Sequence, residues 1–139
     1  MFQWKEDFSC NVNKIDKQHK TLLELGAKLH DIIKLKDGID HYDEIMVILT
    51  ELKDYTIYHF AAEEKLLEDN GYDSFELQLH KRQHKSFINK IKQFENQDID
   101  EKQIVITLDM LTFIANWIEQ HILKIDQNYS SFLNKKGIF

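Results

Sequence analysis

The sequence has no proline, four glycines and a single cysteine in 139 residues. One thiol, Cys10, cannot close an internal disulfide or build a thiolate metal site, so any bound metal must be held by histidine and carboxylate. As a small apolar residue in an N-terminal arm, beside Phe8 and Val12, Cys10 reads as packing and not as a nucleophile. No run of about 18 apolar residues occurs, and the N-terminus MFQWKEDFSC lacks a basic region followed by an apolar stretch. Membrane spanning and export are therefore not expected, and the cytoplasm is the expected location. Basic excess is also missing: 24 acidic against 18 basic side chains give a net charge of -6, which argues against nucleic acid or an anionic membrane as partner.

What is present is the composition of one ordinary globular domain, 42% hydrophobic and 30% charged, expected to span residues 1–139. Nothing alternates with period two for long enough to make a strand, whereas apolar residues recur at spacings of three and four throughout. The pattern predicts helices over 16–36, 41–69, 74–96 and 101–125, with an arm at 1–15 and a tail at 126–139. Asp16 and Ser74 are the expected caps of the first and third helices, and Gly38 and Gly71 the expected ends of the first two. Gly26, inside the first helix, is expected to allow a close helix approach despite its poor propensity. Phe2, Trp4, Phe8, Val12 and Ile15 in the arm, and Phe132, Leu133 and Phe139 in the tail, are expected to pack across the bundle. The fold class is therefore all-α, an up-down-up-down antiparallel four-helix bundle whose interior can carry a cofactor site.

Five of the seven histidines stand where a core residue belongs. On the second helix Ile45, Leu49, Leu52, Thr56, His59 and Glu63 form one face, and on the third Leu77, His80, His84, Phe87, Ile91 and Phe94 do the same. The fourth carries Ile104, Leu108, Leu111, Ile118 and His121, followed by Asp126. The first runs from His19 through Leu22 or Leu23, Gly26 and Leu29 to Ile33. A lone buried imidazole is ordinarily a satisfied core residue. Five, accompanied by two carboxylates, would leave several kcal/mol of desolvation unmet unless a metal satisfies them together. His30, one position off its stripe, and His41, at a polar helix start, read as surface residues. Glu64 is rotated about 100 degrees from Glu63 and reads as solvated or placed behind a ligand.

Seven donors exceed the needs of one ion, and the mixture of imidazole and carboxylate suits iron better than manganese, copper or zinc. With two ions of about six-coordinate geometry, five histidines, two bridging carboxylates and a bridging oxide or hydroxide leave about one position open. An open position can accept an exogenous molecule, and dioxygen is the natural candidate, since two ferrous ions together can lend the two electrons it takes up and recover them on release.

The ordered motifs Ile-Asp-Lys-Gln-His ending at His19, His-Phe-Ala-Ala-Glu from His59 to Glu63, His-x-x-x-His from His80 to His84, and His-x-x-x-x-Asp from His121 to Asp126 resemble those of the hemerythrins, specifically their single-domain bacterial members, over essentially the whole chain. The resemblance implies that His80, His84 and His121 bind one iron, His19 and His59 the other, and that Glu63 and Asp126 bridge them, with dioxygen at the iron that has two histidines. It also implies an apolar oxygen pocket of Leu22, Phe60, Trp117, Ile118 and Ile122, residues that read equally well as core packing. Five residues turn His121 and Asp126 about 140 degrees apart on a regular helix, so a bulge is expected between them. The run Asp7-Phe8-Ser9-Cys10-Asn11 departs from the entry segment the resemblance would suggest.

The expected function is reversible dioxygen binding for storage, delivery or sensing, with other small ligands such as nitric oxide or azide as further partners, by a monomer or weak homo-oligomer. The alternative is a di-iron redox enzyme, an oxidase, peroxidase or nitric oxide reductase. Oxygen-activating di-iron bundles are carboxylate-rich and carry paired Glu-x-x-His motifs, whereas this chain has no Glu-x-x-His and a histidine majority. An effector domain for a signalling module is not expected within this length, and a metal-free structural bundle is the weakest reading.

Overall fold

The computed structural model describes residues 2–35, 38, 39, 41–96, 99–122 and 126–139, with the side chains of 99–107 and of 126 outside the description. Four long helices, α1 (Asn13–Ile33), α2 (Tyr42–Asp69), α3 (Ser74–Glu95) and α4 (Ile99–Gln120), form a four-helix bundle, and no strand occurs among the described residues. Helix α1 packs on α2 and α4, and α2 packs on α3. The expected second and third helices agree to within a residue or so. The first helix ends at Ile33, short of the end expected at residue 36, with Lys34 and Leu35 already outside it; the end expected for the fourth lies at 123–125, outside the described residues.

The first helix begins three residues before the expected start, because Asp16 does not cap it. Its carboxylate accepts from Ser9 Oγ at 2.6 Å and from the Cys10 backbone N–H at 2.8 Å. Inside the first turn it ties the arm down while keeping negative charge at the positive end of the helix. On α3 the cap is Asp73 and not Ser74: its side chain accepts from the Glu76 N–H at 2.9 Å. At the end of α2, Gly71 takes φ 74°. The Tyr72 N–H then bonds back to the Leu67 carbonyl at 3.0 Å, an end that only a residue without Cβ makes without strain.

The tail is not irregular: a 3-10 turn, Asp126–Tyr129, leads into a fifth helix, α5 (Ser130–Lys135). Arm and tail lie against each other through side chain to backbone bonds. Gln127 donates to the carbonyls of Asp7 and Ser9 at 3.0 and 2.9 Å, Ser130 to that of Cys10 at 2.6 Å, and Asn134 to that of Asn11 at 3.0 Å.

The apolar interior is divided in two. A larger cluster contains Leu22, Leu29, Leu49, Leu52, Phe60, Phe87, Ile91, Met110, Ile114 and Ile118. A smaller one joins Cys10, Val12 and Ile15 to Leu67, Leu77, Tyr129 and Leu133, so Cys10 is packing, as expected. Phe132 is half-buried, but Phe139 is exposed, against the packing expected for it. Along α1, α2 and α3 the chain passes from one cluster to the other through an inward polar donor: Ile15, His19, Leu22; Phe60, Glu63, Leu67; Leu77, His80, His84, Phe87. The stripes expected on α2 and α3 are buried throughout. On α4 the expected stripe is partly wrong, since Leu108 is exposed and the buried positions are Met110, Leu111, Ile114 and Ile118; the side chain of Ile104 lies outside the described residues. Spacing alone points Leu108 inward, but a helix in contact with neighbours at slightly different angles turns another row toward the core.

Gly26 does make room for a close approach, but by the arm and not by a helix. A Cβ there would sit 2.3 Å from the Phe2 ring, which also meets His30 edge-on at 6.4 Å and leaves it half-buried. His41, expected at the surface, is buried beside Glu44, whose carboxylate lies 3.1 Å from its Nδ1. These contacts give a sign test. Gly26→Ala should lower the unfolding free energy by about 1–2 kcal/mol by evicting Phe2, yet raise it by about 0.5–1 kcal/mol in a Phe2→Ala background, where only helix propensity remains. Urea denaturation of the four-member cycle reads both signs.

Candidate metal centre

Glu63 is fully buried at the middle of the bundle, with imidazoles on both sides of its carboxylate. Its Oε1 lies 2.5 Å from His80 Nε2, 3.1 Å from His84 Nε2 and 3.8 Å from His121 Nε2. Its Oε2 lies 3.4 Å from His59 Nε2 and 3.9 Å from His19 Nε2. One oxygen thus faces three histidines and the other faces two. The four-residue step from His59 to Glu63 stacks them on one face of α2, and the same step from His80 to His84 does so on α3. Burial alone would push the Glu63 carboxyl up, but hydrogen bonds to His121, His80 and His84 and the charge of His59 prevail and hold it well below the usual carboxylate range. The group is an anion with five imidazoles around it.

The donor atoms fall into two groups that share this carboxylate. Those of Glu63, His80, His84 and His121 all lie within 4.8 Å of one another, and so do those of His19, His59 and Glu63. His84 Nε2 and His121 Nε2 are 3.1 Å apart, two imidazole nitrogens turned toward one point, which is what a cation between them would use. All five histidines are buried, at 5% exposure or less. Nitrogen donors with one shared carboxylate, closed off from water, fit two neighbouring first-row transition-metal ions. A single structural ion would need only about four of them. Cys10 and Asp16 also come within 4.8 Å of His19, but Asp16 is already bonded to Ser9 and the Cys10 backbone.

The backbone turns π-helical at His121 and Ile122, the distortion expected where His121 must face inward ahead of Asp126. Residues 123–125 lie outside the described residues. So does the side chain of Asp126, although its backbone opens the 3-10 turn to Tyr129.

Two residues that hold the histidines and Glu63 in place escape a reading of the sequence. Gln18 is buried, and its Oε1 lies 2.6 Å from His59 Nδ1. With the amide oxygen accepting, that contact places a ring proton on Nδ1 and turns Nε2 toward the centre, where it is the atom that can serve as a metal ligand once unprotonated. Tyr129, from the tail, is fully buried and donates its hydroxyl to Glu63 Oε2 at 2.8 Å. Gln18 stands one position off the α1 stripe, where its only signal is a polar side chain next to the candidate ligand His19, and Tyr129 comes from a segment with no helical period to single it out. Glu64 is behind the site as expected, partly buried with Oε1 3.5 Å from His84 Nδ1.

The candidate pocket residues sit on the side of the larger apolar cluster. Leu22, Phe60, Ile118 and Ile122 belong to it and Trp117 packs against it. Phe60 stacks on His84 with ring centroids 3.7 Å apart, and Trp117 stacks on His121 at 4.4 Å and 12°. The aromatic rings therefore fix two imidazole planes as well as excluding water.

Residues 10–133 match the family model of the hemerythrin HHE cation binding domain. The chain is 40% identical to a bacteriohemerythrin of Clostridium acetobutylicum over 93% of its own length and 98% of that protein. It is 30% identical to a bacteriohemerythrin of Pseudomonas aeruginosa over 91% of its length and 77% of that protein, and 28% identical to a hemerythrin of Themiste dyscrita over 91% and 88%. The crystal structure of a wild-type hemerythrin superposes with a TM-score of 0.77 at 28% identity, covering 93% of this chain and 95% of that one.

The phenol of Tyr129 anchors a buried carboxylate, so its removal should be felt without any metal. Tyr129→Phe should lower the unfolding free energy of the metal-free protein by about 1–3 kcal/mol, the range for a hydrogen bond to a buried charged group, with helicity unchanged by circular dichroism.

Proposed function

The chain belongs to the hemerythrin family, and from that premise we propose that it binds dioxygen reversibly at a pair of non-haem iron ions, for oxygen storage, delivery or sensing. The observation that carries the reading is the division of the histidines by one shared carboxylate, three on Glu63 Oε1 and two on Oε2. The family is known for oxygen binding at a di-iron site, and the inward His and Glu donors suit iron. We assign His80, His84 and His121 to one ion, His19 and His59 to the other, and Glu63 and Asp126 as bridges, with an oxide or hydroxide completing the pair.

When bound, the iron pair supplies two electrons that can be lent to dioxygen and taken back. The protein's part is to make that loan reversible. Leu22, Phe60, Trp117, Ile118 and Ile122 form a dry wall that disfavours separation of charge, so a small neutral molecule enters and leaves more easily than water or an anion. Gln18 holds the His59 tautomer, and the Phe60 and Trp117 stacks hold His84 and His121, so few ligands are free to rearrange on oxidation. The unequal histidine count leaves the His19 and His59 side as the one with room for the exogenous ligand.

The absence of any Glu-x-x-His and the count of five histidines to two carboxylates favour binding over oxidase or peroxidase chemistry. Among the described residues no helix is long and apolar enough to cross a membrane.

Ferrous loading under argon should give about two irons per chain. Admission of oxygen should raise an absorption band in the visible that fades on return to argon, over repeated cycles. A permanent ferric spectrum after one exposure, with turnover of an added reductant, would establish the enzyme instead. Glu63→Ala should abolish stoichiometric loading, since a shared ligand serves both ions, whereas His59→Ala should retain about one iron per chain.

A further inference from the structure

A shallow groove of about 410 Å³ between α3 and α4 is lined by Arg82, Lys85, Ser86 and Lys90, with Phe113 as its α4 wall. No carboxylate lines it among the described residues, although the protein carries a net charge of -6. Cation clustering on an acidic protein marks a place where the local field opposes the global one, and so selects partners by charge. The groove also has a second property: its aromatic wall is the outer member of a chain of ring contacts that ends on a histidine of the metal centre. Lys90 lies over the Phe113 ring at 6.0 Å. Phe113 stacks on Phe87 with centroids 5.8 Å apart and planes 16° from parallel, Phe87 meets Trp117 at 4.3 Å, and Trp117 stacks on His121 at 4.4 Å. The unbroken run of π systems joins a basic surface to the three-histidine side of the site.

We propose that this groove is the docking surface of an acidic one-electron carrier protein, seated on Arg82, Lys85 and Lys90 and brought into electronic contact with His121 through Phe113, Phe87 and Trp117. The inference rests on the proposed iron site. An oxygen carrier that lends electrons needs a way back whenever the loan is not returned, and the groove offers one away from the apolar pocket. The exchange balances simply: each encounter oxidises one reduced carrier by one electron, two encounters restore the two electrons lost by the centre, and no covalent bond changes. Such an encounter suits a basic groove, since redox partners dock transiently over small interfaces, below about 1,200 Å², and rely on electrostatic steering more than on apolar burial.

Reduced plant-type [2Fe–2S] ferredoxin is the probe. Titration calorimetry at low ionic strength should show binding that weakens steeply with salt. The Arg82→Glu/Lys85→Glu/Lys90→Glu variant should weaken it by about tenfold or more, while Lys135→Glu/Lys136→Glu at the end of α5 should change it by less than about twofold. Stopped-flow reduction of the ferric protein by the same ferredoxin should slow in parallel with the loss of affinity. No binding by the unaltered protein, equal weakening by the two charge reversals, or an unchanged reduction rate in the groove variant would each overturn the proposal. A groove variant that alters sedimentation without altering ferredoxin affinity would show the groove to be a contact between copies of the chain, and would overturn it too. Affinity is read without reference to oxygen, so a chain that docks ferredoxin but shows no reversible oxygen band would sink the oxygen reading and support the docking surface.

Discussion

A carboxylate sealed inside a helical bundle with five imidazoles around it is the constraint on which the rest of this molecule depends. Glu63 remains an anion despite complete burial, and an isolated buried charge would destabilise a small domain by several kcal/mol. The histidines answer that charge, and two of them face a further polar group on the other side, His59 with Gln18 at its Nδ1 and His84 with Glu64. A network of this kind is stable only when complete. In the proposed di-iron state the cations complete it, so binding of the metal and consolidation of the fold are one event.

The two apolar clusters follow from the same requirement. A bundle of this length could hold one continuous core, but the polar centre divides it, and each part closes one side of the site. The larger cluster provides the wall of Leu22, Phe60, Ile118 and Ile122. The smaller one is built largely from parts outside the four long helices, with Cys10 and Val12 from the arm and Tyr129 and Leu133 from the tail. Arm and tail are bound to each other by Gln127, Ser130 and Asn134, so they act as a lid across one end and not as loose termini. The phenol of Tyr129 reaches Glu63 from that lid, which couples its packing to the position of the shared carboxylate.

Aromatic residues around the histidines carry two roles that need not conflict. Stacked on His84 and His121, Phe60 and Trp117 exclude water and fix ring planes. Continued through Phe87 and Phe113, the same contacts reach a basic groove at the surface. Trp117 belongs to both arrangements, since it lies among the apolar residues beside the site and also links His121 to Phe87.

The sequence by itself was enough for the four long helices, because a spacing of three and four is a local property of the chain and burial of one face is its direct consequence. It was also enough to pick out His19, His59, Glu63, His80, His84 and His121, since polar groups on an apolar stripe are visible without coordinates. Spacing alone did not say how those groups divide about one carboxylate, a division that only the family resemblance implied, because it depends on the angles at which α1, α3 and α4 meet α2. Likewise Asp16 as a tie for the arm, Phe2 against Gly26, Gln18 behind His59 and Tyr129 on Glu63 join positions that no helical period connects. Such contacts leave no periodic trace, since nothing in local backbone geometry selects a partner 41 or 66 residues away.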